Sequence, residues 1–141
     1  MGIELSSGGK ALIDRPNFAH LATLLKNGAP HSAPVWIARE GELLVIVTED
    51  DSLKGRNTKR DPRVSLSIVD FVDPYLELQI QGRVVERRPD PDLKAFDAMS
   101  RKYVGRDWPN RDERGPVVLL IEVLKEKHSK HPFEHRLSAR R

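Results

Sequence analysis

The stretch Phe18-Ala19-His20-Leu21-Ala22-Thr23-Leu24-Leu25-Lys26-Asn27-Gly28-Ala29-Pro30-His31-Ser32-Ala33-Pro34-Val35-Trp36 decides the fold. Two short apolar runs flank Lys26-Asn27-Gly28. Asn-Gly between such runs is a strong hairpin signal, because both residues tolerate positive φ. The spacing predicts a strand over 18–25 and a return strand from His31 to Ala38. Pro34 lacks a ladder donor, which confines the return strand to an edge or a bulge.

Working outward, Glu40-Gly41 turns the chain into Leu43–Thr48 (LLVIVT). That run is short and β-branched, as expected of a strand buried on both faces. Asp50, Asp51 and Ser52 offer N-caps for a helix over about 52–60, which Pro62 stops. Residues 64–69 and 75–85 alternate apolar with polar, and Gly82 interrupts the second run as a bulge or close backbone approach does. Asp90-Pro91 opens a second helix, with Leu93, Phe96, Met99 and Tyr103 at helical spacing and Gly105 closing it. A polar loop over 106–115 leads to a last strand, Val117–Leu124. Six strands and two short helices joined by tight turns predict a mainly β protein, a small antiparallel barrel in one domain over 1–141.

The chain has 141 residues, 24 Lys+Arg, 21 Asp+Glu and no cysteine. Disulfides, thiolate metal sites and a cysteine nucleophile are therefore excluded. No run reaches the roughly 18 apolar residues of a spanning helix, so no membrane partner is expected. With no basic region followed by an apolar run at the start, the expected location is cytoplasmic. The excess positive charge sits in 125–141, which holds six Lys/Arg against two Asp/Glu and is expected to be a basic C-terminal tail. With few aromatics beside it, that tail gives little support to a nucleic-acid partner. His128, His131 and His135 share this segment with Pro132, and no metal site is expected there.

Chemistry is better placed at Thr48 to Arg60. A strand ends at a hydroxyl and a helix begins nearby with Lys54, Arg56, Asn57 and Arg60 in its turns. Strand end, helix N-terminus and basic side chains together suit a phosphate. Lys54 and Asn57 are three apart and share a face, with Arg60 one turn on. The same residues also fit a solvated helix whose cations pair with the upstream acids. Trp36 suits core or stacking platform, and Trp108, in a polar loop, suits covering a ligand.

Several motifs then occur in a specific order. They are Ala-Thr-Leu (22–24), Asn-Gly-Ala-Pro-His (27–31), Pro-Val-Trp (34–36), Lys-Gly-Arg-Asn-x-x-Arg-Asp-Pro-Arg (54–63), Gln-Gly (81–82) and Arg-Lys-Tyr-x-Gly (101–105). In this order the chain resembles the split-barrel flavin and deazaflavin oxidoreductases, the fold of pyridoxamine 5′-phosphate oxidase. The last two motifs most resemble the branch that uses coenzyme F420, a deazaflavin, instead of FMN.

The resemblance implies a six-stranded antiparallel split barrel forming a homodimer, with cofactors at the subunit interface. It implies that Lys54, Asn57, Arg60 and Arg56 hold the cofactor phosphate and anionic tail, with Thr48 beside the ribityl–phosphate arm. Pro34, Val35 and Trp36 would line the ring, and the backbone at Gly82 would approach it. Tyr103 and Trp108 would reach from the other subunit towards the pocket of a small-molecule substrate. The implied activity is hydride transfer from reduced deazaflavin to a conjugated acceptor. An FMN-dependent oxidase or reductase and a non-catalytic binder of a flavin or haem product are the alternatives.

Overall fold

A computed structural model describes residues 2–137. The elements run α1 (Ser7–Asp14), β1 (Ala19–Leu24), β2 (Pro30–Val35), β3 (Ala38–Glu40), β4 (Leu43–Glu49), α2 (Leu53–Arg60), β5 (Arg63–Val69), β6 (Leu76–Pro89), α3 (Lys94–Val104) and β7 (Pro116–Lys130). The strands form one antiparallel sheet in the order β2-β1-β5-β6-β7-β4-β3. The expected hairpin is β1 and β2, with Gly28 at φ 85° in its turn and Pro34 on an edge strand.

The two edge strands, β2 and β3, are separated in the chain only by Trp36 and Ile37. Three peptide links reach no further than about 11 Å. The sheet must therefore curl until its edges come close, while no ladder among the described residues joins them. The result is a barrel with a seam, the expected antiparallel split barrel.

Its interior is filled by the inward residues of alternating strands. Leu21, Leu66, Ile68, Leu78, Ile80, Leu44, Ile46, Leu119 and Ile121 are all essentially inaccessible to water. β4 and β7 are apolar on both sides. Their outer residues Val45, Val118 and Leu120 pack under Met99 of α3, as the LLVIVT run requires.

The structure departs from the sequence expectation in four places. A helix, α1, precedes the first strand; Gly8 and Gly9 obscure it, yet Ser6 caps Gly9 N–H at 2.9 Å and Leu12 and Ile13 are fully buried. The return strand expected to Ala38 ends at Val35, and β3 is a separate seventh strand. Helix α3 begins at Lys94 rather than at Pro91. Asp90 still caps it, accepting from Ala95 and Phe96 N–H groups, but Leu93 intervenes at φ 59°. That left-handed conformation is costly for leucine, and burying its side chain in the core offsets it.

Finally, the last strand continues to Lys130, because Leu76–Gln81 of β6 offer it a partner. The first residues of the basic segment are thus sheet, and residues 138–141 of it lie outside the described residues. His131 faces Glu77 at 3.7 Å and His135 packs on Tyr75. Among the described residues, no group of three His, Asp or Glu is placed to hold a metal. No described helix is long and apolar enough to cross a membrane.

Candidate functional site

The seam is closed by α3. The Tyr103 hydroxyl accepts from Ile37 N–H at 3.0 Å and donates to the Asn17 carbonyl. Lys102 Nζ donates to the carbonyls of Ile13 and Ile37. Both side chains bond the backbone of Ile37, which lies between the two edge strands, and tie it to the end of α1 at Ile13 and to the α1–β1 loop at Asn17. Burial raises the Tyr103 hydroxyl and lowers the Lys102 ammonium to about 8.

With its strand ended at Val35, Trp36 lies across this seam. Its indole stacks on Tyr103, centroids 5.0 Å apart and planes 10° apart, and meets Trp108 edge-on at 6.0 Å. A cavity of about 160 Å³ opens beside it, lined by Pro34, Val35, Trp36, Val47, Lys54, Phe96, Met99 and Trp108. Five of the site residues expected from the sequence therefore share one cavity wall. Tyr103 and Trp108 reach Trp36 within the same chain, with no second subunit needed for the contact.

Helix α2 brings the cations. Ser52 caps it, accepting from Gly55 N–H at 3.1 Å and donating to the Glu49 carbonyl at 2.7 Å, and the buried Thr48 hydroxyl lies 2.9 Å from Ser52 Oγ. A Cβ on Gly55 would lie 2.5 Å from the carbonyls of Glu49 and Asp50, so glycine lets the helix start against the strand end. Arg87 fastens the helix by bonding Thr58 Oγ1, the Gly55 carbonyl and Asp50.

The cations of α2 divide by partner. Lys59 pairs with Asp50 at 2.6 Å, as a solvated helix with upstream acids predicts. Arg56 Nε donates to the Asp51 carbonyl, and Arg60 to the Leu24 carbonyl and Asn57 Oδ1. Among the described residues, neither of these two is ion-paired with a carboxylate. Lys54 is half-buried, lines the aromatic cavity, and its ammonium has no partner among the described residues. Desolvation pulls its proton affinity below that of an ordinary lysine. Asn57 is wholly buried, its Nδ2 donating to Thr23 Oγ1 at 3.0 Å and its Oδ1 accepting from Arg60. In this arrangement Asn57 and Thr48 support the basic helix from beneath and present nothing to the cavity.

The polar loop 106–115 is fixed to α3. Trp108 N–H and Arg111 bond the Asp97 carboxylate, which Arg111 holds below the usual range. The indole N–H of Trp108 donates to Glu113. Glu113 hydrogen-bonds Glu49, and that contact raises Glu49. Gly82 lies elsewhere, lining a separate cavity with Ala22, Thr23, Ser65 and Gln81. It occupies the bulge expected of it, where a Cβ would meet the Glu122 carbonyl at 2.6 Å. Phe96 and Met99 were not singled out for the site from sequence. Their spacing to Tyr103 on one helix face was the signal that places them on the same wall.

A single antiparallel sheet rolled to a seam defines the split-barrel class, to which flavin and deazaflavin oxidoreductases belong. The chain belongs to the pyridoxamine 5′-phosphate oxidase family, whose model matches residues 9–128. It is similar to a solved F420 reductase at 29% identity and a TM-score of 0.80, over 87% of this chain and 98% of that one. A conserved hypothetical protein of Mycobacterium tuberculosis shares the fold at 20% identity and a TM-score of 0.75, over 98% of this chain and 94% of that one. General Stress Protein 26 of Bacillus anthracis shares it at 19% identity and 0.64, over 84% and 88%. No curated protein matches this chain.

Proposed function

We propose that this chain is an F420-dependent oxidoreductase acting on a conjugated small-molecule acceptor. The observation that carries the reading is Lys54, a half-buried ammonium that has no partner among the described residues and opens onto an aromatic cavity. A buried cation left unpaired is costly, and a ligand anion is the partner that relieves it. The similarity to an F420 reductase supports a deazaflavin as that ligand.

Bound reduced deazaflavin supplies the hydride. The chain's own part is positioning. Lys54 offers a point charge to the phosphate, and Arg56 and Arg60 offer forks to the anionic tail. Pro34, Val35 and Trp36 form a wall against which a planar ring can lie while water is kept out. Lys54 is the one titratable side chain among the described residues that line this cavity.

A homodimer fits the same reading. The outer face of β1, β5 and β6 carries His20, Ala22, Ser65, Ser67, Gln79 and Gln81 at its centre, with Arg63 and Arg83 at one end and Glu77 at the other. Depletion of charge is the compositional mark of an interface centre.

The test is a paired titration of the protein with F420 and FMN, repeated with Lys54→Gln, alongside thermal melts. The expected result is preference for F420, an affinity at least about tenfold weaker in the variant, and a melting temperature equal to or above the parent's. Preference for FMN moves the activity to the oxidase branch, and unchanged affinity in Lys54→Gln overturns the site.

A further inference from the structure

Six of the chain's eight aromatic residues form one connected row. Phe71 meets Phe18 at 6.2 Å between centroids, Phe18 meets Tyr103 at 6.0 Å, and Tyr103 stacks on Trp36. Trp36 then meets Trp108, and Trp108 meets Phe96 at 5.3 Å. Three cavities follow this row and share walls. The inner one beside Lys54 shares Pro34, Val35, Trp36 and Trp108 with a middle one of about 270 Å³. That middle cavity shares Phe18 and Pro34 with an outer one of about 430 Å³, bounded by Val69, Phe71 and Val72. Together they make one groove running from the basic helix to the β5–β6 loop.

The outer end is unusually exposed for its chemistry. Phe71 is 73% and Val72 86% accessible, and Phe18 is 43%. The loop that presents them is nevertheless built. Asp70 turns inward to accept from the Val72 and Asp73 N–H groups, and Phe71 N–H donates to the buried Asn17 side chain at 2.8 Å. The carbonyl of that same Asn17 accepts from Tyr103, so the loop is registered against the ring wall. Asp70, the carboxylate of the outer cavity, is already spent on these bonds and on Arg15 at 3.3 Å. The remaining titratable groups there are His20 and His135. Apolar rings held outward by a fixed backbone, continuous with the cavity beside Lys54, mark a surface for a ligand.

Resting on the oxidoreductase reading above, we propose that the groove from Trp36 past Phe18 to Phe71 is the acceptor site. It selects planar, uncharged fused-ring aromatic acceptors over single rings, with Phe18, Phe71 and Val72 determining specificity. A single ring can cover one member of the row, whereas a fused system contacts several at once.

The test needs no cofactor. The chain's two tryptophans, Trp36 and Trp108, both line the groove, so their fluorescence quenching reports binding. The probes are 9,10-phenanthrenequinone and the single-ring tetramethyl-1,4-benzoquinone, each titrated into the parent and Phe71→Ser. Expected is binding of the three-ring probe about tenfold tighter than the single-ring one, with a loss of roughly three- to tenfold in Phe71→Ser for the larger probe alone. Equal affinities for the two probes, or an unchanged affinity in the variant, overturn the proposal. Sedimentation of both proteins runs in parallel. If Phe71→Ser weakens self-association and leaves the affinities unchanged, the patch is a contact between copies and the proposal falls. Success here with failure of F420 binding would sink the cofactor reading and leave the groove standing as an aromatic-ligand site.

Discussion

Asn57 and Lys54 lie three residues apart on one helix and meet opposite surroundings. Asn57 is sealed between Thr23 of β1 and Arg60, while Lys54 faces a cavity with its ammonium unmatched. Removing the first leaves the buried Thr23 hydroxyl and the Arg60 fork short of a partner. Asn57→Ala is therefore expected to lower stability by roughly 1–3 kcal/mol, measured by urea denaturation, and to weaken cofactor binding only through a loosened Arg60. The residue types and their spacing were legible in the sequence as a basic face on one helix. Which of them turns inward was not, because spacing on a helix gives a shared face and not its depth. Depth depends on β1, which lies more than thirty residues earlier in the chain.

At the scale of elements, patterning carried most of the fold. Alternation in 64–69 and 75–85, the Asn-Gly turn and the apolar run at 43–48 each found their strand. Gly82 shows how far one residue can be read. The break in alternation is a bulge where β6 and β7 come too close for a side chain. Gly82→Ala is expected to destabilise by about 1–3 kcal/mol, since the carbonyl of Glu122 that it meets is backbone and cannot rotate away. An unchanged urea midpoint would show that the strands can separate at the bulge without loss. The elements that patterning missed are those whose stability comes from elsewhere. Helix α1 has two glycines and poor propensity, and it exists because Leu12 and Ile13 plug the barrel. Strand β3 is three residues long, and its ladder to β4 is what separates it from β2.

For the whole molecule, the seam is the decisive feature, and Lys102 is its most sensitive fastening. Its folded-state proton affinity drops to about 8 because burial disfavours the charge, whereas an unfolded lysine titrates near ~10.4. Between these values the unfolded chain binds more protons, so stability rises with pH. The stability of the parent relative to Lys102→Met is expected to increase from pH 7.5 to 10.5 in a series of urea titrations. A flat difference would mean that the two carbonyl bonds, to Ile13 and Ile37, cancel the desolvation. By itself the sequence determined the antiparallel β class, the hairpin and the basic helix, since these depend on period, turn chemistry and local order. Only the tertiary structure decided that Trp36 spans a seam, that Tyr103 and Trp108 reach it within one chain, and that Phe18 and Phe71 extend the wall. Those contacts join residues far apart in the chain, and they form only when the sheet curls until its two edges face each other.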